Sequence, residues 1–281
     1  MGDGNDGSIR SRFDLSGRVA IITGGSGLLG RQHADALAEL GAIPVLLDVD
    51  ARRAGEAAAE ISERHGVPAL GLLCDITDEA AVLETRAAIF DRFGRLDILV
   101  NNAAHNPKME GGGLAESSRL EHLPLDRWEA DLKVGLTGAF LCARVFGTHM
   151  QTQGKGVIVN ISSDLGLIAP DQRLYRREGL PEDQQPVKPV TYSVVKSGLI
   201  GLTRYLATYW AASGVRVNAI APGGVFNGQP EDFVERLTRL IPMGRMAEPD
   251  EYKAAIAFLC SDASSYMTGA VLTVDGGRTV W

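Results

Sequence analysis

Short apolar runs alternate with amphipathic stretches along nearly the whole chain, and few folds accept that pattern. Residues 19–22, 43–48, 69–74, 96–100, 157–161, 215–220 and 270–274 read as strands buried on both faces. Between them, residues 51–65, 78–93, 128–150, 192–212 and 249–260 have helical spacing, as does a stretch opening near Leu29 and stopping at Gly41. A strand that must be followed by a helix before the next strand can pair gives a parallel sheet with helices on both faces. The expected fold is therefore α/β, a doubly wound parallel sheet of seven strands. No repeat or interior linker divides the chain, so one domain over about 13–281 is expected, preceded by a disordered, Gly-rich and acidic tail at 1–12.

The turn after the first strand carries chemistry. Gly25, Gly27 and Gly30 fit G-x-G-x-x-G, directly after a strand and opening a helix. Glycines there let the backbone turn tightly and approach a pyrophosphate, and the helix N-terminus supplies free N–H groups and partial positive charge. The second strand ends at Asp48, where a carboxylate accepts the adenosine ribose hydroxyls and repels a 2′-phosphate. No basic residue stands within 24–29, and Val49 follows Asp48. NAD is therefore expected in preference to NADP, with Arg52 and Arg53 read as a solvated helix start.

Tyr192 and Lys196 stand one helical turn apart on one face. Val195, Leu199, Leu202, Leu206 and Tyr209 form an apolar stripe on another, so the pair can look into a site while the stripe packs. A free tyrosine, with a pKa near ~10, is a poor base at neutral pH, and a nearby ammonium is expected to lower it. A net charge of -7 argues against a nucleic-acid surface. No apolar run approaches the ~20 residues of a membrane span. Cys74, Cys142 and Cys260 have neither disulfide nor metal-ligand spacing, which reads as reduced thiols in a cytoplasmic protein without a metal site.

Together, residues 23–30, Asp75, Asn101-Asn102-Ala103-Ala104, Ser163, Tyr192-x-x-x-Lys196, Pro222-Gly223 and Asp275-Gly276-Gly277 resemble the short-chain dehydrogenase/reductases over nearly all of 13–281. The resemblance implies a Rossmann-type fold, a nicotinamide cofactor, a small-molecule substrate and a homo-oligomer, tetramer or dimer, built on the helices near 128–150 and 192–212. It implies that Tyr192 is the general acid/base, that Lys196 binds the nicotinamide ribose and lowers the tyrosine pKa, and that Ser163 orients the substrate oxygen. It places Gly24, Ser26, Gly27, Leu28, Leu29, Gly30, Asp48, Asp75, Ile76, Asn102, Ala103, Ala104, Pro222, Gly223 and Val225 against the cofactor, with Asn101 lying along it. The wording is closest to sugar and sugar-acid dehydrogenases, which makes the expected activity an NAD-dependent interconversion of a secondary alcohol and a ketone. A 3-oxoacyl reductase is the alternative enzyme, and a cofactor-binding regulatory or scaffold protein the alternative class.

The chain departs from the family pattern in two places that bear on activity. Where the family carries asparagine in the long helix, this chain has Gly135. Glycine keeps the backbone carbonyl that the family uses for a water relay and permits a helix distortion. The gap from Ser163 to Tyr192 is longer than usual, and residues 164–190 carry Arg173, Tyr175, Arg176, Arg177 and Lys188. That insertion can cover the substrate mouth, with Arg173 recognising an anionic substrate through planar bidentate contacts; the alternative is a solvated surface insertion or a subunit contact. His105 and Asn106 are expected to face the substrate too, as is the loop after Pro222 with Phe226, Met243 and Met246.

Overall fold

The computed structural model describes residues 7–105 and 118–281. Seven parallel strands form one sheet in the order β3-β2-β1-β4-β5-β6-β7. They are β1 Val19–Thr23, β2 Ile43–Asp48, β3 Leu70–Leu73, β4 Ile98–Asn101, β5 Gly156–Ile161, β6 Val215–Pro222 and β7 Val271–Val274. Every residue of β1, β4 and β5 is buried. Continuous apolar runs of this kind are what a strand covered on both faces requires.

Alternate side chains of β1 enter different cores. Ala20 and Ile22 join Leu37, Ile61, Ile256 and Leu259 on one face of the sheet. Val19 and Ile21 join Val82, Ile89, Phe146, Leu206 and Trp210 on the other. This is the period-two geometry of a strand, and it places helices α2 (Leu28–Glu39) and α3 (Ala51–His65), with Lys253–Cys260, opposite α4 (Glu79–Phe93) and the helix Val190–Trp210. Ile21 and Ile22 are fully buried, and each contributes about 1.5–3 kcal/mol by leaving water. Asp50 and Asp78 cap α3 and α4 by accepting from the N–H groups of Arg53 and Ala80, each stabilising its helix by ~1 kcal/mol.

Three features differ from the sequence-based expectation. A five-residue helix, α1 (Ile9–Phe13), capped by Ser8, stands inside the segment expected to be a disordered tail; residues 1–6 lie outside the described residues. The helix expected at 128–150 starts at Leu125, ends at Gln153 and is interrupted by π-turns at Lys133–Thr137 and Ala143–Gly147. The first π-turn contains Gly135, at the distortion glycine was expected to permit. The loop after Pro222 contains a helix, Glu231–Thr238. Its start is written in Pro230, Glu231 and Asp232, and its apolar side in Phe233, Val234 and Leu237. All three cysteines are buried and free. Among the described residues no helix is long and apolar enough to cross a membrane.

Candidate functional site

The strand order reverses between β1 and β4, and a crevice opens there at the carboxyl ends of the strands, as expected of an open parallel sheet. It continues across β5 and β6 as a cavity of about 720 Å³. One end is built by the glycine turn. Gly24 adopts φ +60°, and a Cβ on Gly30 would stand 2.3 Å from the Gly24 carbonyl oxygen. Gly30 therefore does not line the cavity; it lets α2 approach the turn. Asn102 holds the turn from β4, donating from Nδ2 to the carbonyls of Thr23 (2.9 Å) and Gly24 (3.1 Å).

Gly27 is the N-cap of α2 and offers no side-chain cap, so first-turn N–H groups face the cavity with their partial positive charge. A Cβ at Gly27 would meet only the Gly24 carbonyl, at 3.2 Å. The turn, the uncapped helix start and the cavity size fit a dinucleotide pyrophosphate. Asp48 sits at the far end, its Oδ2 accepting from the Ser26 N–H (3.1 Å) and hydroxyl (2.6 Å). Ser26, Gly27, Leu28, Leu29, Asp48, Asp75, Ile76, Asn102, Ala103 and Ala104 all line this end. Asn101 does not. It is buried and donates to Asn160 Oδ1 at 2.8 Å, because alternation along β4 turns it into the core. Arg52 is solvated and paired with Glu56. Arg53, by contrast, lines the cavity and donates to the Ser26 carbonyl at 3.3 Å, so it is not merely part of a solvated helix start.

The other end gathers Ser163 from the turn after β5, Tyr192 and Lys196 from the helix Val190–Trp210, and Pro222, Gly223 and Val225 from the end of β6. Lys196 Nζ donates to the Ile161 carbonyl at 2.7 Å and stands 5.7 Å from the Tyr192 ring centroid. Ser163 Oγ donates to Asp164 Oδ1 at 2.7 Å. Sequence reasoning passed over Asp164, although it directly follows the serine. Burial raises the Asp164 carboxyl pKa, which the bond to Ser163 opposes. Tyr192 also departs from expectation. Burial lifts it above its ordinary value, the Ser163 hydroxyl opposes this, and the Asp164 carboxylate adds to it. Burial, and then the neighbouring Lys188, brings Lys196 down to about 8.

The insertion supplies a cation, but from another position. Arg173 points away from the cavity, its side chain 79% exposed and paired with Asp171 at 2.7 Å. Lys188 takes the place expected of it, with Nζ lying 3.8 Å from the Tyr192 ring centroid. Leu174 and Tyr175, also from the insertion, pack with Phe233, Leu237 and Met246 to form an apolar wall over the mouth. Arg236 ties the two halves by donating to the Leu174 carbonyl at 3.1 Å. Met246 lines the cavity, whereas Phe226 and Met243 are exposed. The remaining rim is polar, with Asn227, Gln229 and His105. His105 Nδ1 lies 2.6 Å from Asp131 Oδ1. Asn106 lies outside the described residues.

Behind Tyr192 a second chamber of about 30 Å³ is lined by Gly135, His105, Asp131, Val195 and Lys196. It is large enough for a water molecule. A Cβ at Gly135 would stand 2.5 Å from Val195 Cγ1, so in this chain the valine occupies the space that an asparagine side chain would need.

Two family models cover the chain: short chain dehydrogenase over residues 18–175, and Enoyl-(Acyl carrier protein) reductase over 182–279. The chain is 36% identical over 281 residues to the D-threitol dehydrogenase of Mycolicibacterium smegmatis, covering 97% of each. It is 39% identical over 271 residues to the cis-4-hydroxycyclohexanecarboxylate dehydrogenase of Sinomonas cyclohexanicum, covering 93% of this chain and 96% of that one. Among solved structures, a gluconate 5-dehydrogenase from Burkholderia cenocepacia J2315 in complex with NADP and tartrate superposes with a TM-score of 0.85 at 30% identity. That match covers 98% of this chain and 100% of the other.

Proposed function

The chain belongs to the short-chain dehydrogenase family of NAD(P)-dependent alcohol and ketone oxidoreductases, and we propose that its substrate is a hydrophilic polyol, sugar or sugar acid and its preferred cofactor NAD. The observation that carries this is the convergence of Ser163, Tyr192 and Lys196 on one end of a cavity whose other end holds Asp48. Asp164, Lys188, Asn227, Gln229 and His105 supply the hydrogen-bonding rim that several substrate hydroxyls need. The polyol and sugar-acid substrates in the relatives' names support the same class. For NAD, the support is the carboxylate of Asp48, already a hydrogen-bond acceptor and repulsive to a 2′-phosphate.

The nicotinamide ring, when bound, accepts or returns the hydride. Gly24, residues 26–29, Asp48, Asp75 and residues 102–104 would hold the adenosine and pyrophosphate, and Lys196 with Pro222, Gly223 and Val225 the nicotinamide end. Ser163 exchanges its bond to Asp164 for one to the substrate oxygen, fixing that oxygen beside Tyr192. In oxidation Tyr192, as tyrosinate, takes the hydroxyl proton; in reduction the phenol returns it. Proton transfer so placed contributes about 10²–10⁴ in rate. The Leu174–Phe233 wall excludes water, which strengthens every charge interaction inside. The chamber behind Tyr192, bounded by Lys196 and Gly135, gives the proton a way out through water. We place the enzyme in the cytoplasm as a homo-oligomer, with the exposed Phe140, Tyr205 and Tyr209 on its contact faces.

The test is NADH formation across polyols, sugars, sugar acids and 3-hydroxyacyl thioesters. Turnover concentrated in the first three groups is expected. Turnover confined to the thioesters would transfer the chain to the 3-oxoacyl reductase alternative.

A further inference from the structure

Lys188 is the cation nearest the face of the proposed acid/base. Its Nζ is 3.8 Å from the Tyr192 ring centroid, against 5.7 Å for Lys196. Lys196 spends one donor on the Ile161 carbonyl. The Lys188 ammonium makes no hydrogen bond or ion pair with any described residue, and it borders both the large cavity and the chamber behind Tyr192. Its position is built in. The Gln172 side chain clamps the Lys188 backbone, with Oε1 accepting from the Lys188 N–H at 2.8 Å and Nε2 donating to its carbonyl at 3.5 Å. Pro189 follows directly and restricts the backbone of Lys188.

An ammonium over an aromatic face is held by the ring's negative quadrupole. Ionising the phenol adds a full negative charge to that ring, so the same contact favours tyrosinate over tyrosine. We propose that Lys188 is a positioning residue for Tyr192, a second cation that stabilises its tyrosinate and so sets the pH range in which Tyr192 accepts the substrate proton. The step is balanced as proton transfer: the substrate O–H breaks, the Tyr192 O–H forms, and the hydride goes to the nicotinamide. This proposal rests on the acid/base role given to Tyr192 above.

The other charged groups around Tyr192 leave room for such a cation. Asp164, beyond Ser163, pushes tyrosinate formation the wrong way. Tyr175 and Tyr252 are phenols held protonated by burial. Arg278 and Asp275 act on Asp164 with opposite signs. His105 is bonded to Asp131, which also accepts from Thr191 and Arg127. Lys196 is the remaining cation at the ring. Burial brings Lys188 down to about 8, with Asp164 opposing, so it carries charge through the neutral range.

The experiment measures kcat for alcohol oxidation against pH, at saturating substrate and NAD+, for the wild type, Lys188→Met, Lys188→Arg and Tyr192→Phe. Losing the cation raises the pKa of Tyr192. The acid limb of Lys188→Met should therefore move upward by at least about one pH unit, costing roughly tenfold at pH 7 and recovering at alkaline pH. Lys188→Arg should keep the wild-type limb. An unmoved limb in Lys188→Met, with or without a raised KM, overturns the proposal. A raised KM there would make Lys188 a substrate anchor instead. Should Lys188→Met not fold, Lys188→Gln carries the same comparison. Tyr192→Phe separates the two levels of the argument: if it retains turnover and the same acid limb, the acid/base role itself fails.

Discussion

Replacing Gly135 by alanine sets two physical effects against each other, and the geometry decides the sign. In an exposed helix interior, Gly→Ala stabilises by about 1 kcal/mol. Here the new Cβ would lie 2.5 Å from Val195 Cγ1, with Cγ2 at 3.4 Å and Cβ at 3.5 Å. Optimal carbon contacts are ~3.5–4.0 Å apart. Val195 is 6% exposed and packed with Ala139 and Leu199, and a β-branched side chain in a helix has one strongly preferred rotamer. Overpacking of this kind costs about 1–3 kcal/mol. Gly135→Ala should therefore be net destabilising by about 1 kcal/mol, and Gly135→Asn by more. In a Val195→Ala background the obstruction is gone, and Gly135→Ala should be neutral or stabilising. Urea unfolding of the four proteins in this cycle should give a coupling of about 2 kcal/mol, within the range for residues in contact. Stabilisation by Gly135→Ala in the wild-type background would refute the packing argument. A large rate gain in Gly135→Asn would show that the missing amide matters and that the water relay is impaired.

Asp48→Ala should lower kcat/KM with NAD+ relative to NADP+ by roughly tenfold or more, since it removes charge-assisted ribose bonds of about 1.5–3 kcal/mol and leaves Arg53 at the cavity edge. Paired kinetics with the two cofactors checks this, and an unchanged ratio counts against the NAD assignment. Arg173→Ala should leave KM within about twofold, because the side chain faces solvent and its partner Asp171 is its own near neighbour. A tenfold rise in KM would restore Arg173 to substrate recognition.

Much of this fold is legible in the chain because its strands are buried on both faces and its helices are amphipathic, so periodicity and burial coincide. The glycine turn was legible for the same reason, since its strand-helix context accompanies the motif. Asn101 was misplaced because only its alternation within β4 distinguishes it from Asn102, one residue on. The π-turn at Gly135 was foreseeable only as permission to distort. What fills the space beside Gly135 is Val195, sixty residues away and on another helix. Arg173 and Lys188 look equivalent in a polar, proline-rich stretch. The Gln172 clamp and the packing of Leu174 on Phe233 select which cation turns inward, and these contacts join segments that periodicity cannot relate. The raised tyrosine pKa escaped sequence reasoning because burial and Asp164 act through space, while the four-residue spacing announces Lys196 alone.

The central claim is that Tyr192 moves the substrate proton in an NAD-dependent oxidation, and Tyr192→Phe tests it most directly. Turnover of the best polyol or sugar acid would be measured beside NADH affinity by fluorescence titration. The predicted result is a loss of kcat of at least about 10², with the NADH Kd within twofold of the wild type. Turnover retained in a variant that still binds NADH would contradict the account.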